Sequence, residues 1–383
     1  MRILILANND VGLYKFRKEL IEELVHAGSY IEGRKEKSCQ VFVSLPEGKF
    51  VPELKKIGCK FINTPVDRRG MNPIKDLQLL NAYRKIVSNI KPDVVLTYTI
   101  KPNIYGGMIC RIKKIPCIPN ITGLGTSIES NNFMSKIILG MYKLGISKAV
   151  TVFFQNDVNK YFFEKRGLLK KQGVLIPGSG VNLNEHCLEE YPEEGEIIKF
   201  LFVGRIMKDK GIEEYLDCAE KIKKEYPNTE FSIVGPYDEN EYKARIDKME
   251  RQGVIKYYGS QEDVHSFMKK HHALILPSYH EGLSNVLLES SATGRPVLAS
   301  NVPGCKETFD DGITGIGFSP KDSNALIEAV KIFLQMSYEE KKIMGLNARK
   351  KIEKEFDKKI VVKAYLCAIN KILQSRKKDE EKE

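Results

Sequence analysis

The chain has 383 residues, 42% of them hydrophobic and 29% charged, with a formal net charge of +11. That length exceeds what one hydrophobic core supports, so two domains are expected, and the composition excludes a disordered or fibrous chain. The charge is uneven: residues 1–180 carry 29 Lys and Arg against 14 Asp and Glu, while the remainder is net −4, so an anionic partner would be drawn to the first half.

The opening MRILILANND is too short an apolar run for a secretory signal and reads as a buried strand. Strand patterns follow at 41–45, 59–63, 93–98, 117–121, 149–154 and 174–177, with helical patterns between most of them. This alternation predicts an α/β fold with a doubly wound parallel sheet. The turn Asn8-Asn9-Asp10-Val11-Gly12-Leu13 opens a helix as a phosphate-approaching loop does, but its single glycine lacks the G-x-G-x-x-G fingerprint of a dehydrogenase. Residues 133–154 are strongly apolar, yet Lys136, Lys143 and Lys148 rule out a clean membrane span. Their helical pattern is expected to pack its apolar side inward, with an amphipathic helix on a membrane surface as the alternative.

Around Pro177 the chain turns to PGSGVNLNEH and then EEYPEEGE, which reads as a linker. The pattern then restarts, with strands expected at 197–204, 229–235, 254–259, 273–278 and 296–300 and an amphipathic helix at 358–373. Divisions at 1–178, 179–356 and 357–383 are expected, the last a helix with a disordered tail. Two Rossmann-like, doubly wound parallel-sheet domains would face a shared cleft at the carboxyl ends of their strands. The eight cysteines are scattered, without a C-x-x-C pair, as in a reduced compartment. His271, His272, His280 and the other histidines lack metal-ligand spacing, and no Asp-x-Asp is present, so no metal is expected.

The segment from Ser278 to Glu289 carries the most chemistry. A strand, a glycine-containing turn and a helix converge backbone N–H groups on an anion, and two carboxylates nearby, Glu281 and Glu289, can accept hydrogen bonds from hydroxyls. Either Ser284 or Asn285 suits the N-cap.

EGLSNVLLE at 281–289 resembles the E-x7-E signature of glycosyltransferase family 4, and FVGRIMKDKGI at 202–212, SIVGPYDE at 232–239 and GRPVLASNVPGCKETFDDGITGIGF at 294–318 extend the resemblance. It covers nearly the whole chain. It implies the GT-B fold, with a C-terminal helix returning to the first domain, and a retaining, metal-independent transferase using a nucleotide-sugar donor, best a UDP-sugar, without a cofactor. By motif match, Arg205 and Lys210 beside Gly204 meet the donor diphosphate, Glu289 holds the ribose, and Glu281 lies near the donor sugar. Gly282, Leu283, Ser284, Asn285 and Val286 offer backbone contacts, and Gly12 approaches the diphosphate from the first domain. Arg205, Lys210 and Glu281 are the catalytic candidates, since fixed cations stabilise the charge that develops on the leaving diphosphate.

DRRGMNPIKDL at 67–77, KPDVVLTYTIKPNIYG at 91–106, NITGLGT at 120–126 and FFQND at 153–157 resemble the family subset that transfers sugars, often N-acetylhexosamines, to lipid-diphosphate-linked acceptors in bacterial surface-glycan assembly. Arg68, Lys101, Asn103 and Thr122 are the acceptor-side candidates by that likeness. Thr122 stands where many relatives carry a histidine, so no side-chain base is expected there. The implied setting is cytoplasmic, peripheral at the inner face of the membrane, with the basic first domain on anionic lipid. Three alternatives remain: a nucleotide-sugar 2-epimerase-like enzyme, whose acid/base set is not evident; a nucleic-acid binder, for which no motif appears; and an inert membrane-surface scaffold.

Overall fold

The computed structural model describes residues 1–26, 39–67, 72–123, 133–195 and 197–380, the side chains of 376–380 excepted. The chain divides into one unit of Met1–Ser179 with Lys359–Glu383 and a second of Gly180–Lys358.

The first unit holds seven parallel strands: β1 (Arg2–Leu6), β2 (Gln40–Leu45), β3 (Lys60–Asn63), β4 (Val94–Tyr98), β5 (Cys117–Ile121), β6 (Phe153–Phe154) and β7 (Val174–Leu175). They lie in the order β3-β2-β1-β4-β5-β6-β7. The central strands are apolar on both faces because helices cover both sides; Ile3, Leu4, Ile5 and Leu6 are fully buried. β6 is much shorter than the 149–154 pattern suggests. The helix Lys358–Glu380 joins this core through Val361, Tyr365, Ala368, Ile369 and Ile372, which pack with Ile3, Ile5 and Leu96. Asn120 Nδ2 donates to the Tyr365 hydroxyl at 2.7 Å, and the buried Arg17 guanidinium lies 5.1 Å from the Tyr98 ring centre and 6.0 Å from that of Tyr365.

The inward packing expected of the 133–146 pattern is met on one side only. The helix Phe133–Ile146 packs Tyr142 and Ile146 into the core, with Ile138, Leu139 and Met141 against it, but Phe133, Met134, Ile137 and Leu144 are exposed, and Phe133 keeps 78% of its surface in solvent. Its buried side is made of Ser135, Tyr142, Gly145 and Ile146. Glycines explain this, because a Cβ on Gly145 would come within 2.7 Å of the Ile104 carbonyl oxygen and one on Gly107 within 2.5 Å of the Gly145 carbonyl oxygen. The backbones touch on this side, with Tyr142 and Ile146 filling the core around the contact.

The second unit holds six parallel strands: β8 (Ile198–Val203), β9 (Thr229–Val234), β10 (Ile255–Tyr257), β11 (Ala273–Leu276), β12 (Val297–Ser300) and β13 (Gly315–Phe318), in the order β10-β9-β8-β11-β12-β13. This is the doubly wound order of nucleotide-binding sheets. β13 was not expected, for its sequence GIGF is poor in β-formers. Glycine is required there: a Cβ on Gly315 would meet the Val297 carbonyl oxygen at 2.4 Å.

Just before β11, His272 Nδ1 accepts the Lys199 N–H at 3.0 Å, and burial lowers its pKa from the usual 6.5 to about 4. Because the folded value lies below the unfolded one, acid protonates the unfolded state first. The second unit should therefore lose on the order of 3 kcal/mol through this group as pH falls from about 6.5 to about 4. Urea unfolding across that range should show the slope, and His272→Asn, which keeps an acceptor for Lys199, should flatten it.

Candidate functional site

Strand order in the second sheet reverses between β8 and β11, which pair side by side. The chain leaves β8 toward one side and β11 toward the other, which opens a crevice at their carboxyl ends. Both candidate segments of this unit begin there.

After β8, Gly204 and Arg205 lead into Ile206, which bridges in parallel to Tyr237 beyond β9. The two loops meet closely: a Cβ on Gly235, whose φ is +150°, would lie 1.8 Å from the Gly204 carbonyl oxygen. A short 3₁₀ turn, Lys208–Lys210, ends at Gly211 with φ +71°, where a Cβ would meet the Pro277 carbonyl oxygen at 2.1 Å. Only glycine lets this loop close onto the end of β11. Tyr279 N–H then donates to the Asp209 carbonyl at 2.9 Å.

That closure brings Lys210 to Glu281. Lys210 Nζ donates to Glu281 Oε1, and Ser278 Oγ donates to the same oxygen at 2.8 Å. The lysine and glutamate side chains keep 23% and 14% of their surface exposed. Arg205 is more open, at 48%, with Nη1 2.9 Å from Asp238 Oδ2. The Glu281 turn is tied to the loop after β12, Glu281 N–H donating to the Pro303 carbonyl at 3.2 Å and Ser284 N–H to the Gly304 carbonyl at 2.8 Å.

The helix Asn285–Ala292 follows, with Ser284 at its N-cap in extended conformation but without a side-chain capping bond. Asn285 Oδ1 is buried without a hydrogen-bond partner. An uncapped helix start beside a lysine and an arginine suits an anion. Leu283 packs its side chain with Val181 and Leu288, so only its backbone serves a ligand. Gly282, Val286 and Glu289 are half-buried, Glu289 one turn into the helix.

The first-unit candidates fare differently. Gly12 lies in the first turn of the helix Asp10–His26, its N–H donating to Asn9 Oδ1 at 2.6 Å. Asn103, an acceptor-side candidate, is fully buried, Oδ1 accepting from Thr97 Oγ1 at 2.6 Å and Nδ2 donating to the Asn120 carbonyl at 2.8 Å. Lys101 is ion-paired to Asp76 at 2.7 Å with little exposure. Thr122 is half-buried just past β5. Arg68 lies outside the described residues.

Two further residues have features to which the sequence pattern assigned no role. Ser278 sits three residues before Glu281, a spacing that could have suggested a bond to its carboxylate. Thr99, directly after β4, takes φ +72°, rare for a β-branched residue, and its hydroxyl is buried without a partner; nothing in its sequence signals this.

A family model described as glycosyl transferases group 1 matches residues 188–351, and one described as glycosyl transferase 4-like matches residues 21–156. The chain is 25% identical, over 98% of its length and all of the relative's, to the N,N'-diacetylbacillosaminyl-diphospho-undecaprenol alpha-1,3-N-acetylgalactosaminyltransferase of Campylobacter jejuni. It is also 25% identical to the capsular polysaccharide biosynthesis glycosyltransferase CapM of Staphylococcus aureus, over 86% of this chain and 90% of CapM. Among solved structures, a glycosyltransferase from Rickettsia africae matches with TM-score 0.76 at 18% identity, over 97% of this chain and 98% of that one. Anabaena Alr3699/HepE, solved with UDP and glucose, matches with TM-score 0.74 at 17% identity, over 99% and 100%.

Gly304 has φ +85°, and a Cβ there would lie 2.3 Å from the Glu281 carbonyl oxygen. Gly304→Ala should displace the Glu281 turn, lower the melting midpoint by several degrees and weaken nucleotide binding at least tenfold. Differential scanning fluorimetry with and without nucleotide measures both.

Proposed function

We propose that this chain, which matches the group 1 glycosyl transferase model in its second part and the glycosyl transferase 4-like model in its first, moves an N-acetylhexosamine from a UDP-sugar to a lipid-diphosphate-linked acceptor, with retention, in surface-polysaccharide assembly. The observation that carries the reading is the meeting of Lys210, Glu281 and Ser278 at the strand-order reversal, beside Arg205 and an uncapped helix start. The lipid-diphosphate acceptor is supported by the Campylobacter relative, whose name specifies one, and the UDP donor by the UDP complex of the Anabaena structure.

In this reading the donor diphosphate enters at the N-terminus of Asn285–Ala292, where backbone N–H groups face it. Arg205 and Lys210 take up the charge that grows on the diphosphate as the sugar–phosphate bond breaks, so no metal is needed for that task. Glu281 hydrogen-bonds the donor sugar and Glu289 the ribose. The acceptor oxygen attacks the anomeric carbon from the face the phosphate leaves, and its proton passes to a phosphate oxygen. No protein base is required, in keeping with Thr122 at the position of the family histidine. A 2-epimerase would instead need side chains that remove and return a carbon-bound proton, a role for which Lys210 and Glu281, bonded to each other, are not set apart.

Among the described residues no helix is long and apolar enough to cross a membrane. The exposed Phe133, Met134, Ile137 and Leu144, interleaved with Lys136 and Lys143, support docking of the basic first unit on anionic lipid. In this reading the enzyme works at the inner membrane face, where a lipid-linked acceptor is presented.

Arg205→Ala and Lys210→Ala should each lower kcat by about 100–1,000-fold with a smaller effect on UDP-sugar affinity, because they act on charge that develops during transfer. Glu289→Ala should raise the Kd for UDP about tenfold. Radiolabelled sugar transfer and calorimetry separate the two effects, and full activity in the Arg205 and Lys210 variants would refute the assignment. On vesicles containing anionic lipid, Ile137→Glu should reduce flotation of the protein, and binding should fall with salt; unchanged flotation would remove the membrane contact from this helix.

A further inference from the structure

Away from the Lys210–Glu281 pair, the second unit gathers a thiol, a carboxylate and an imidazole. Cys187 Sγ lies 3.4 Å from Glu189 Oε1 and 3.8 Å from His265 Nε2, and the last two atoms are 3.1 Å apart. Tetrahedral zinc, with bonds of about 2.3 Å to sulfur and 2.0–2.2 Å to nitrogen or oxygen, separates such ligand atoms by about 3.3–3.6 Å. Each edge of the observed triangle is within about 0.3 Å of what a bound ion requires.

The surroundings orient these groups. The Thr293 hydroxyl donates to the Glu289 carbonyl at 2.8 Å and lies 3.3 Å from His265 Nδ1. With its one hydrogen used on that carbonyl, the hydroxyl can only accept from the ring, so Nδ1 carries a proton and Nε2 is the ring atom left to bind an ion on the side of the thiol and carboxylate. Lys269 Nζ holds Glu189 Oε2 at 2.8 Å, which leaves Oε1 directed at the centre. Cys187 is exposed and His265 and Glu189 are half-buried, so an ion can enter and keep a water as its fourth ligand.

We propose that Cys187, Glu189 and His265 bind a divalent cation of the zinc class. Thiolate and imidazole select zinc, or cobalt(II) in its place, over magnesium and calcium. On binding, the sulfur–metal bond replaces the thiol S–H bond, whose proton leaves to solvent. The ion ties three segments together: the loop at Cys187–Glu189, the start of the helix His265–Lys270 and, through Thr293, the C-terminal end of Asn285–Ala292. That end is about 12 Å from the helix start, so the cation braces the helix that carries Glu289 and takes no part in chemistry at its N-terminus. The proposal stands whether or not the transferase reading does.

The test is cobalt(II) titration of the metal-free, full-length protein. A thiolate-to-cobalt charge-transfer band with intense tetrahedral visible bands should saturate at one equivalent and disappear when zinc is added. Cys187→Ala, at an exposed position, should abolish the band, as should His265→Ala with an unchanged circular dichroism spectrum. Cys367→Ala, removing the other exposed thiol, should leave it intact, and Thr293→Val should weaken binding by about 10–100-fold. Absence of the band in the unmodified protein, or its survival in Cys187→Ala, would overturn the proposal.

Discussion

The ion pair between Lys210 and Glu281 spans the place where strand order in the second sheet reverses, and the arrangement around it follows from that crossing. Loops leaving β8 and β11 diverge, so a contact between them forms only if the backbone folds tightly back. Gly211, Gly235 and Gly304 sit where it does so, each with positive φ and each so close to a carbonyl that any side chain would collide. The pair is neither fully solvated nor sealed. A free surface pair would contribute little, whereas loss of one partner here leaves a partly desolvated charge that is costly to keep. A diphosphate arriving at the helix start competes with Glu281 for the same ammonium, which gives the site a protein-supplied counter-ion before substrate binds.

The fold was legible because its strands are short, apolar and separated by helical periods, and because buried parallel strands need no alternation. What failed was governed by backbone proximity, which hydrophobic pattern does not encode. β13 is half glycine and reads as a loop until Val297 is placed beside it. The helix Phe133–Ile146 packs inward through Tyr142 and Ile146, yet its pattern of apolar residues does not say that Phe133, Met134, Ile137 and Leu144 stay exposed.

The site was legible in part for a related reason. Arg205, Lys210, Glu281 and Glu289 lie in segments with recognisable order along the chain, and the fold gathers the first three at adjacent strand ends, with Glu289 one turn into the helix that follows. Asn103 belonged to an equally suggestive segment, yet its amide is spent on Thr97 and Asn120 inside the first sheet. Thr99 and Ser278 owe their interest to conformation and to one hydrogen bond. The Cys187, Glu189 and His265 triangle joins residues separated by as many as 78 positions, so no local spacing announces it.

The helix Lys358–Glu380 gives the first unit a core that is discontinuous in sequence. Val361, Tyr365 and Ile369 fill space against β1 and β4, yet they are synthesised only after the whole second unit. At about 5–20 residues per second, the ribosome leaves that apolar face uncovered for roughly 10–35 s while the intervening 179 residues are made. The second unit, continuous in sequence, can fold within that interval. The nascent first unit must wait with an open groove, which makes the order of synthesis the reverse of the order of completion.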